Sequence, residues 1–257
     1  MDRTLTQKEE ALIKSLHSRH GRKKSGRCLC EGERCCGELF KSRPDLIELI
    51  ICREDFDADF PDHKIIRVSD NLMAKLSPAE TPPGVLMLVQ RPAPADTKDI
   101  PSDPFALVLD RVADPGNFGT IIRTAKAAGL NEIWYTEGSA DPFSDKVIRS
   151  AMSAQFTMKL WRLPDLEAVK KNLSGFGYKH FFRTDPSEGE SCFKLPELFE
   201  RSAIIIGSEA HGVSPLADAI PVTIPMPGGF ESLNAAQAAT IFIFEYVRRT
   251  QNTVSTP

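Results

Sequence analysis

From residue 105 onward the sequence carries short runs dense in aliphatic and aromatic residues: FALVL (105–109), EIWYT (132–136), FTMKLW (156–161), KHFFRT (179–184), AIIIG (203–207) and PVTIP (221–225). A strand wetted on one face alternates polar and apolar residues, whereas near-continuous apolar runs separated by helical segments belong to a parallel sheet covered on both faces. The second half of the chain is therefore predicted to be an α/β domain of that kind. A long helix over SLNAAQAATIFIFEYVRR closes it, with alanines in its first turns that let another backbone or a ligand approach closely.

The first 90 residues alternate as well: helix (6–19), strand (27–31), helix (33–42), strands (46–52 and 64–68), helix (70–76) and strand (84–90), which predicts a smaller α/β domain. Between the two lies QRPAPADTKDIPSDP (90–104), whose Pro92, Pro94, Pro101 and Pro104 read as a linker. The domains expected are residues 1–95 and 103–257. Apolar residues at 41% and charged residues at 26% exclude disordered and collagen-like classes. No apolar run approaches the roughly 18 residues that cross a bilayer, and the opening MDRTLTQKEE does not read as a signal peptide. A cytoplasmic protein without a membrane partner is expected.

A net charge of −3 provides no global attraction to nucleic acid. The distribution is more informative: between Lys14 and Arg27 stand Arg19, Arg22, Lys23 and Lys24, with His17 and His20 and no acid. Such a run is either a solvated helix end and loop or a phosphate-contacting patch of Arg19, Arg22, Lys23, Lys24 and Arg27. Four of the six cysteines fall in CLCEGERCC, a spacing that matches neither paired zinc-ribbon form. Cys28 and Cys30 are expected on a strand as small buried apolar groups, reduced, with no metal.

In an open parallel sheet, ligands settle outside the carboxyl ends of the strands, and three loops of unusual chemistry stand at such ends. After FALVL, DRVADPGNFG makes a turn, supplies Asn117 and starts a helix that carries Arg123 near its amino end. After AIIIG, GSEAHGVS ends the strand at Gly207, turns through Ser208 and Glu209, and bends again at Gly212. No Lys-Ser/Thr pair follows, so a nucleoside triphosphate loop is not supported. In IPMPGGFESLNAAQAA, Pro225, Pro227, Gly228 and Gly229 interrupt both helix and strand, so an extended loop precedes a final helix capped by Ser232. Taken singly, these are a surface arginine, a tight turn with an exposed acid, and a helix cap.

Together, N117-F-G-T-I-I-R123, I206-G-S-E209-A-H-G212, and I224-P-M226 with S232-L-N234 resemble the three motifs of the SpoU (TrmH-type) SPOUT RNA methyltransferases. The resemblance spans residues 103–250. Weaker likeness in CLCEGERCCGEL and LSPAETPPGVLMLV is similar to the substrate-binding domain that precedes many members' catalytic domains. It implies a trefoil-knotted catalytic domain, S-adenosylmethionine held in the knotted loops, a ribosomal-protein-like RNA-binding domain, and a homodimer sharing its active sites. It also implies that Arg123, Asn117, Glu209, Ser232 and Asn234 serve catalysis and that Ile206, Gly207, Ser208, Ile224, Met226 and Leu233 hold the cofactor. The sequence departs from the family's R-A-S-M-G-A at VIRSAMSAQF, where Ser150 and Ala151 are exchanged in type and Ser153 takes the glycine position, and Gln237 is a departure on the final helix.

The implied reaction is methyl transfer to a ribose 2′-hydroxyl of RNA, ribosomal RNA before transfer RNA. A guanidinium has a pKa above about 12 and does not serve as a ready base, so Arg123 is expected to stabilise the developing alkoxide and orient a phosphate. The rivals are a non-catalytic RNA-binding or ribosome-assembly module and a dinucleotide-dependent oxidoreductase, the latter lacking a G-x-G-x-x-G after its early strands. Arg123→Ala is expected to lower turnover on the order of a hundredfold or more with the fold intact, measured as methyl-transfer rate beside thermal unfolding. Near-full activity in Arg123→Lys contradicts a role for the planar fork.

Overall fold

A computed structural model of the protein describes residues 4–57, 59–61, 65–229 and 231–251. The chain divides into two compact units: residues 1–93 with 141–157, and residues 94–140 with 158–257.

In the first unit, α1 (Gln7–Ser15) opens with a capping box between Thr6 and Glu9. The single helix predicted over 6–19 is two, because the Ser18 hydroxyl accepts from Gly21 N and starts α2 (Arg19–Ser25), which ends at Gly26 in the left-handed region (φ 68°). The two helices cross so closely that a Cβ on Gly21 would lie 1.9 Å from the Ser15 carbonyl oxygen. The basic run therefore lies on a capped helix, and this corrects the expectation for Arg22. Its side chain is buried, with Nε and Nη2 on Asp141 Oδ2 (2.9 Å each) and Nη1 donating to the carbonyls of Leu16 and His17. A guanidinium so engaged cannot meet a phosphate.

Behind these helices stands a four-stranded sheet in the order β1 (Arg27–Glu31), β4 (Val85–Gln90), β2 (Ile47–Arg53), β3 (Ile65–Val68). β4 is antiparallel to both neighbours, and β2 and β3 are parallel. The strand predicted at 64–68 is β3, residue 64 lying outside the described residues. With α1 and α4 (Asp70–Leu76), the sheet encloses a core of Ile13, Leu16, Leu29, Ile51, Leu76 and Leu86, and α3 (Glu33–Ser42) buries Cys35, Cys36 and Leu39 outside that cluster. All six cysteines are buried and unpaired.

Residues 141–157 join this unit through α6 (Asp145–Ala151). After α6 the backbone turns through Met152 and Ser153 in the left-handed region (φ 50° and 64°). Ser153, where the resemblance leads to glycine, donates its hydroxyl to the Cys35 carbonyl (3.1 Å), a bond that offsets the unfavourable φ.

The second unit is built on a seven-stranded parallel sheet, ordered β7 (Lys159–Leu163), β6 (Glu132–Thr136), β5 (Ala106–Leu109), β10 (Ser202–Ile206), β8 (His180–Thr184), β11 (Ile220–Thr223), β9 (Glu190–Ser191). The apolar runs thus form the predicted sheet, with two adjustments: β7 starts after 156 because residues 154–157 form a 3₁₀ turn of the first unit, and β9 has no sequence counterpart. Trp134 stacks on Trp161 (4.3 Å between centroids) above α7 (Leu166–Gly175), within a core that includes Val169, Phe181 and Ile205. The Pro-rich stretch is not a free tether: Ala95 packs on this core and the Thr97 carbonyl accepts from Asn172. No helix among the described residues is long and apolar enough to cross a membrane.

Removing one partner of a buried ion pair costs about 3–5 kcal/mol. Arg22→Ala is expected to lose that much in denaturant unfolding, while exposed Lys23→Ala changes stability by less than about 0.5 kcal/mol.

Candidate active site

The first loop ends in α5 (Pro115–Ala127), where Asp114 accepts from Asn117 N (2.7 Å) and Pro115 occupies the first turn. Phe118, Ile121, Ile122 and Ala125 bury one face of α5, which packs on α8 (Ala235–Gln251). Asn117 is left half-buried at the amino end. Its Nδ2 donates to Glu209 Oε1 and its Oδ1 accepts from Asn234 Nδ2 (3.0 Å). Asn234 Oδ1 in turn accepts from the backbone N–H groups of Ala236 and Gln237 (2.9 and 3.3 Å). Asn234 therefore caps α8, not Ser232, and the correction follows from where the helix begins.

The second loop closes on itself. Ser208 and Gly212 exchange backbone hydrogen bonds (3.1 and 2.9 Å), and Ser208 Oγ accepts from His211 N. A Cβ on Gly207 would stand 2.2 Å from the Gly212 carbonyl carbon, so only glycine fits where the loop leaves β10. This closure presents Glu209 to Asn117.

Around these groups lies a cavity of about 420 Å³. Ile206, Gly207, Ser208 and Glu209 line it from the second loop, and Ile224, Met226, Ser232, Leu233 and Asn234 from the third. All six residues expected to hold the cofactor and three of the five assigned to catalysis thus share one wall. Asn117 joins through its two side-chain bonds. Arg123 does not: it is exposed, is not among the lining residues, and makes no hydrogen bond or ion pair among the described residues. Six residues past Asn117, it sits about 9 Å further along α5 and on another face of the helix.

The loop after β8 adds Thr184, Asp185 and Pro186, which the sequence reading missed. The available signal was the Asp-Pro pair directly after an apolar run, the same arrangement as Asp114-Pro115. Burial opposes the charge of Asp185, but N–H bonds from Ser187 and Glu188 and the Arg183 guanidinium hold its carboxyl below the usual range. Asp185, Glu209 and Glu231 make the wall acidic, and no Lys, Arg or His stands among the described residues that line it. A ligand carrying positive charge fits such a wall, whereas a polyphosphate does not.

On the first unit, Arg19, Lys23 and Lys24 are exposed, and Arg27 is half-buried with Nε on Glu48 (2.7 Å). No group of three or more potential metal ligands occurs among the described residues.

Asn234 has two separable tasks. Asn234→Asp keeps the oxygen that caps α8 and is expected to hold stability, while Asn234→Ala loses about 1 kcal/mol in thermal unfolding. Both variants lose the donor to Asn117.

The chain is similar to known proteins over most of its length. The profile of the SpoU rRNA Methylase family matches residues 104–244, and that of an MRM3-like substrate binding domain matches 11–87. The chain is 30% identical to the 23S rRNA (guanosine(2553)-2′-O)-methyltransferase RlmP of Bacillus subtilis, over 90% of this chain and 92% of that one. It is 28% identical to rRNA methyltransferase 3, mitochondrial, of Xenopus laevis, over 92% and 73%. Among solved structures, the SpoU methyltransferase AviRb of Streptomyces viridochromogenes superposes with a TM-score of 0.78 at 25% identity, over 96% of this chain and 99% of that one. Its complex with the cofactor AdoMet superposes at 0.81 with 23% identity, over 96% and 99%. With a family match over more than half of the chain and full-length likeness to its members, the protein belongs to the SpoU rRNA methylase family.

Proposed function

We propose that the protein transfers a methyl group from S-adenosylmethionine to a ribose 2′-oxygen of ribosomal RNA. The observation that carries the reading is one cavity lined by the second loop, the third loop and the loop after β8, with Asn117 of the first loop bonded to Glu209 and Asn234 in its wall, which is acidic and free of cationic side chains. Its volume of about 420 Å³ lies in the range of small-molecule sites, and its charge suits a sulfonium and an ammonium group. S-adenosylmethionine supplies an already electrophilic methyl, so the protein's work is alignment, which is worth up to about 7–11 kcal/mol in favourable cases. Ile206, Gly207, Ser208, Ile224, Met226 and Leu233 hold the donor through backbone groups and apolar contact. Asn117, Glu209, Ser232 and Asn234 position the ribose.

Arg123 belongs to the RNA side of the reaction, where it binds the phosphate next to the target ribose and stabilises the alkoxide as the proton leaves to water. Its exposed position, clear of the cavity within one chain, supports a homodimer in which a second copy completes each site. The knot in the loops around 207–213 and 224–234 is part of the same proposal. Residues 1–95 are the proposed RNA-binding domain, with Arg19, Lys23, Lys24 and Arg27 as its phosphate contacts and Arg22 as their scaffold; residues 103–257 are the proposed catalytic domain. Ribosomal RNA is favoured over transfer RNA by the names of the relatives. The cytoplasm is the proposed compartment, where bacterial 23S rRNA is made.

The test uses the purified protein with S-adenosylmethionine tritiated in the methyl group and ribosomal RNA from cells lacking the gene. Label recovered in 2′-O-methylated nucleosides after nuclease digestion is the expected result. Donor binding without label in any ribose instead identifies a non-catalytic RNA-binding module.

A further inference from the structure

Asp110 stands at the end of β5 and is 1% exposed. Its backbone N–H continues the ladder to the Ile206 carbonyl (2.8 Å). Its carboxylate binds neighbours from one strand and one loop: Oδ1 accepts from Thr136 Oγ1 at the end of β6 (2.8 Å), and Oδ2 accepts from both the N–H and the hydroxyl of Ser214 (2.8 and 2.6 Å). Thr136 Oγ1 also accepts from Arg111 N (3.0 Å), and the nearest cationic atom, Arg111 Nε, is 3.8 Å from Oδ2.

A buried carboxylate is unfavourable unless its oxygens are satisfied, and apolar residues fill such positions at least as well. Satisfied as it is here, it fixes geometry instead. The loop that leaves β10 at Gly207 rejoins the body of the unit at Val213, which packs on the core, and Ser214 follows it directly. β10 and the close packing at Gly207 hold the entry of that loop, and at its exit Asp110 fixes the polar side of Ser214 beside the packed Val213. Between those two anchors stand Ser208, Glu209 and Gly212 of the cavity wall.

We propose that Asp110 is a positioning residue: through Ser214 it clamps the second loop so that Glu209 and the cavity wall are preorganised for the methyl donor. The proposal rests on the reading of the cavity as the S-adenosylmethionine site. It extends the site to a buried side chain that touches neither donor nor RNA.

Two measurements on the full-length protein test it, with Asp110→Asn, Ser214→Ala and the double variant. In calorimetric titration with S-adenosylmethionine, Asp110→Asn is expected to raise Kd about tenfold and Ser214→Ala several-fold. The double variant is expected to be no weaker than Asp110→Asn alone, because both changes remove one interaction. In hydrogen exchange without ligand, the amides of residues 208–214 are expected to exchange at least tenfold faster in both single variants while β5 and β10 stay protected. Folded variants that keep wild-type loop exchange overturn the proposal, as does an unchanged Kd with a lowered unfolding midpoint, the mark of a purely structural residue. If Asp110→Asn does not fold, Ser214→Ala decides by the same readouts. Should the wild type not bind S-adenosylmethionine, the functional reading fails, and the loop exchange still decides the role of Asp110.

Discussion

A directed chain of hydrogen bonds holds the site together. It starts at the free N–H groups of the first turn of α8, passes through the side-chain amides of Asn234 and Asn117, and ends on Glu209. Each amide accepts on one side and donates on the other, so the orientation of every member follows from its neighbour. The chain ends on a group that only accepts when ionised, which suits a carboxylate. Segments 117 residues apart in sequence are joined by a single bond between Asn234 and Asn117. Without that relay the second and third loops keep their local turns but lose their common reference.

The parallel sheet supplies the place for this relay. Strands buried on both faces end at one edge, and the turns there are free to carry polar residues because the core does not need them. The energetics of the unit lie below that edge, in Trp134, Trp161 and the aliphatic residues around them, which decouples packing from chemistry.

This separation explains how much the sequence disclosed. Apolar runs such as AIIIG and EIWYT are legible because their burial leaves no alternative residue type, and the three loops are legible because glycine, proline and asparagine interrupt those runs. The role of Ser232 was misread since a serine and an asparagine two residues apart are equal candidates for a cap until the first helical turn is located. Arg22 was misread for a deeper reason: its partner, Asp141, is 119 residues away and belongs to a segment that the reading assigned to the other domain. The Thr184–Pro186 loop carries a signal no stronger than an ordinary turn, and only its neighbours in space give it meaning. The break between α1 and α2 turns on one hydroxyl, Ser18, competing locally for the backbone.

The sheet of the second unit ends in strands of different kinds. β9 is only two residues long, so on that side few backbone groups stand open to another strand. β7, on the opposite edge, displays the exposed charges of Lys159 and Arg162. Short and charged margins are poor templates for strand addition, and the sheet is thereby protected against growing into intermolecular ribbons.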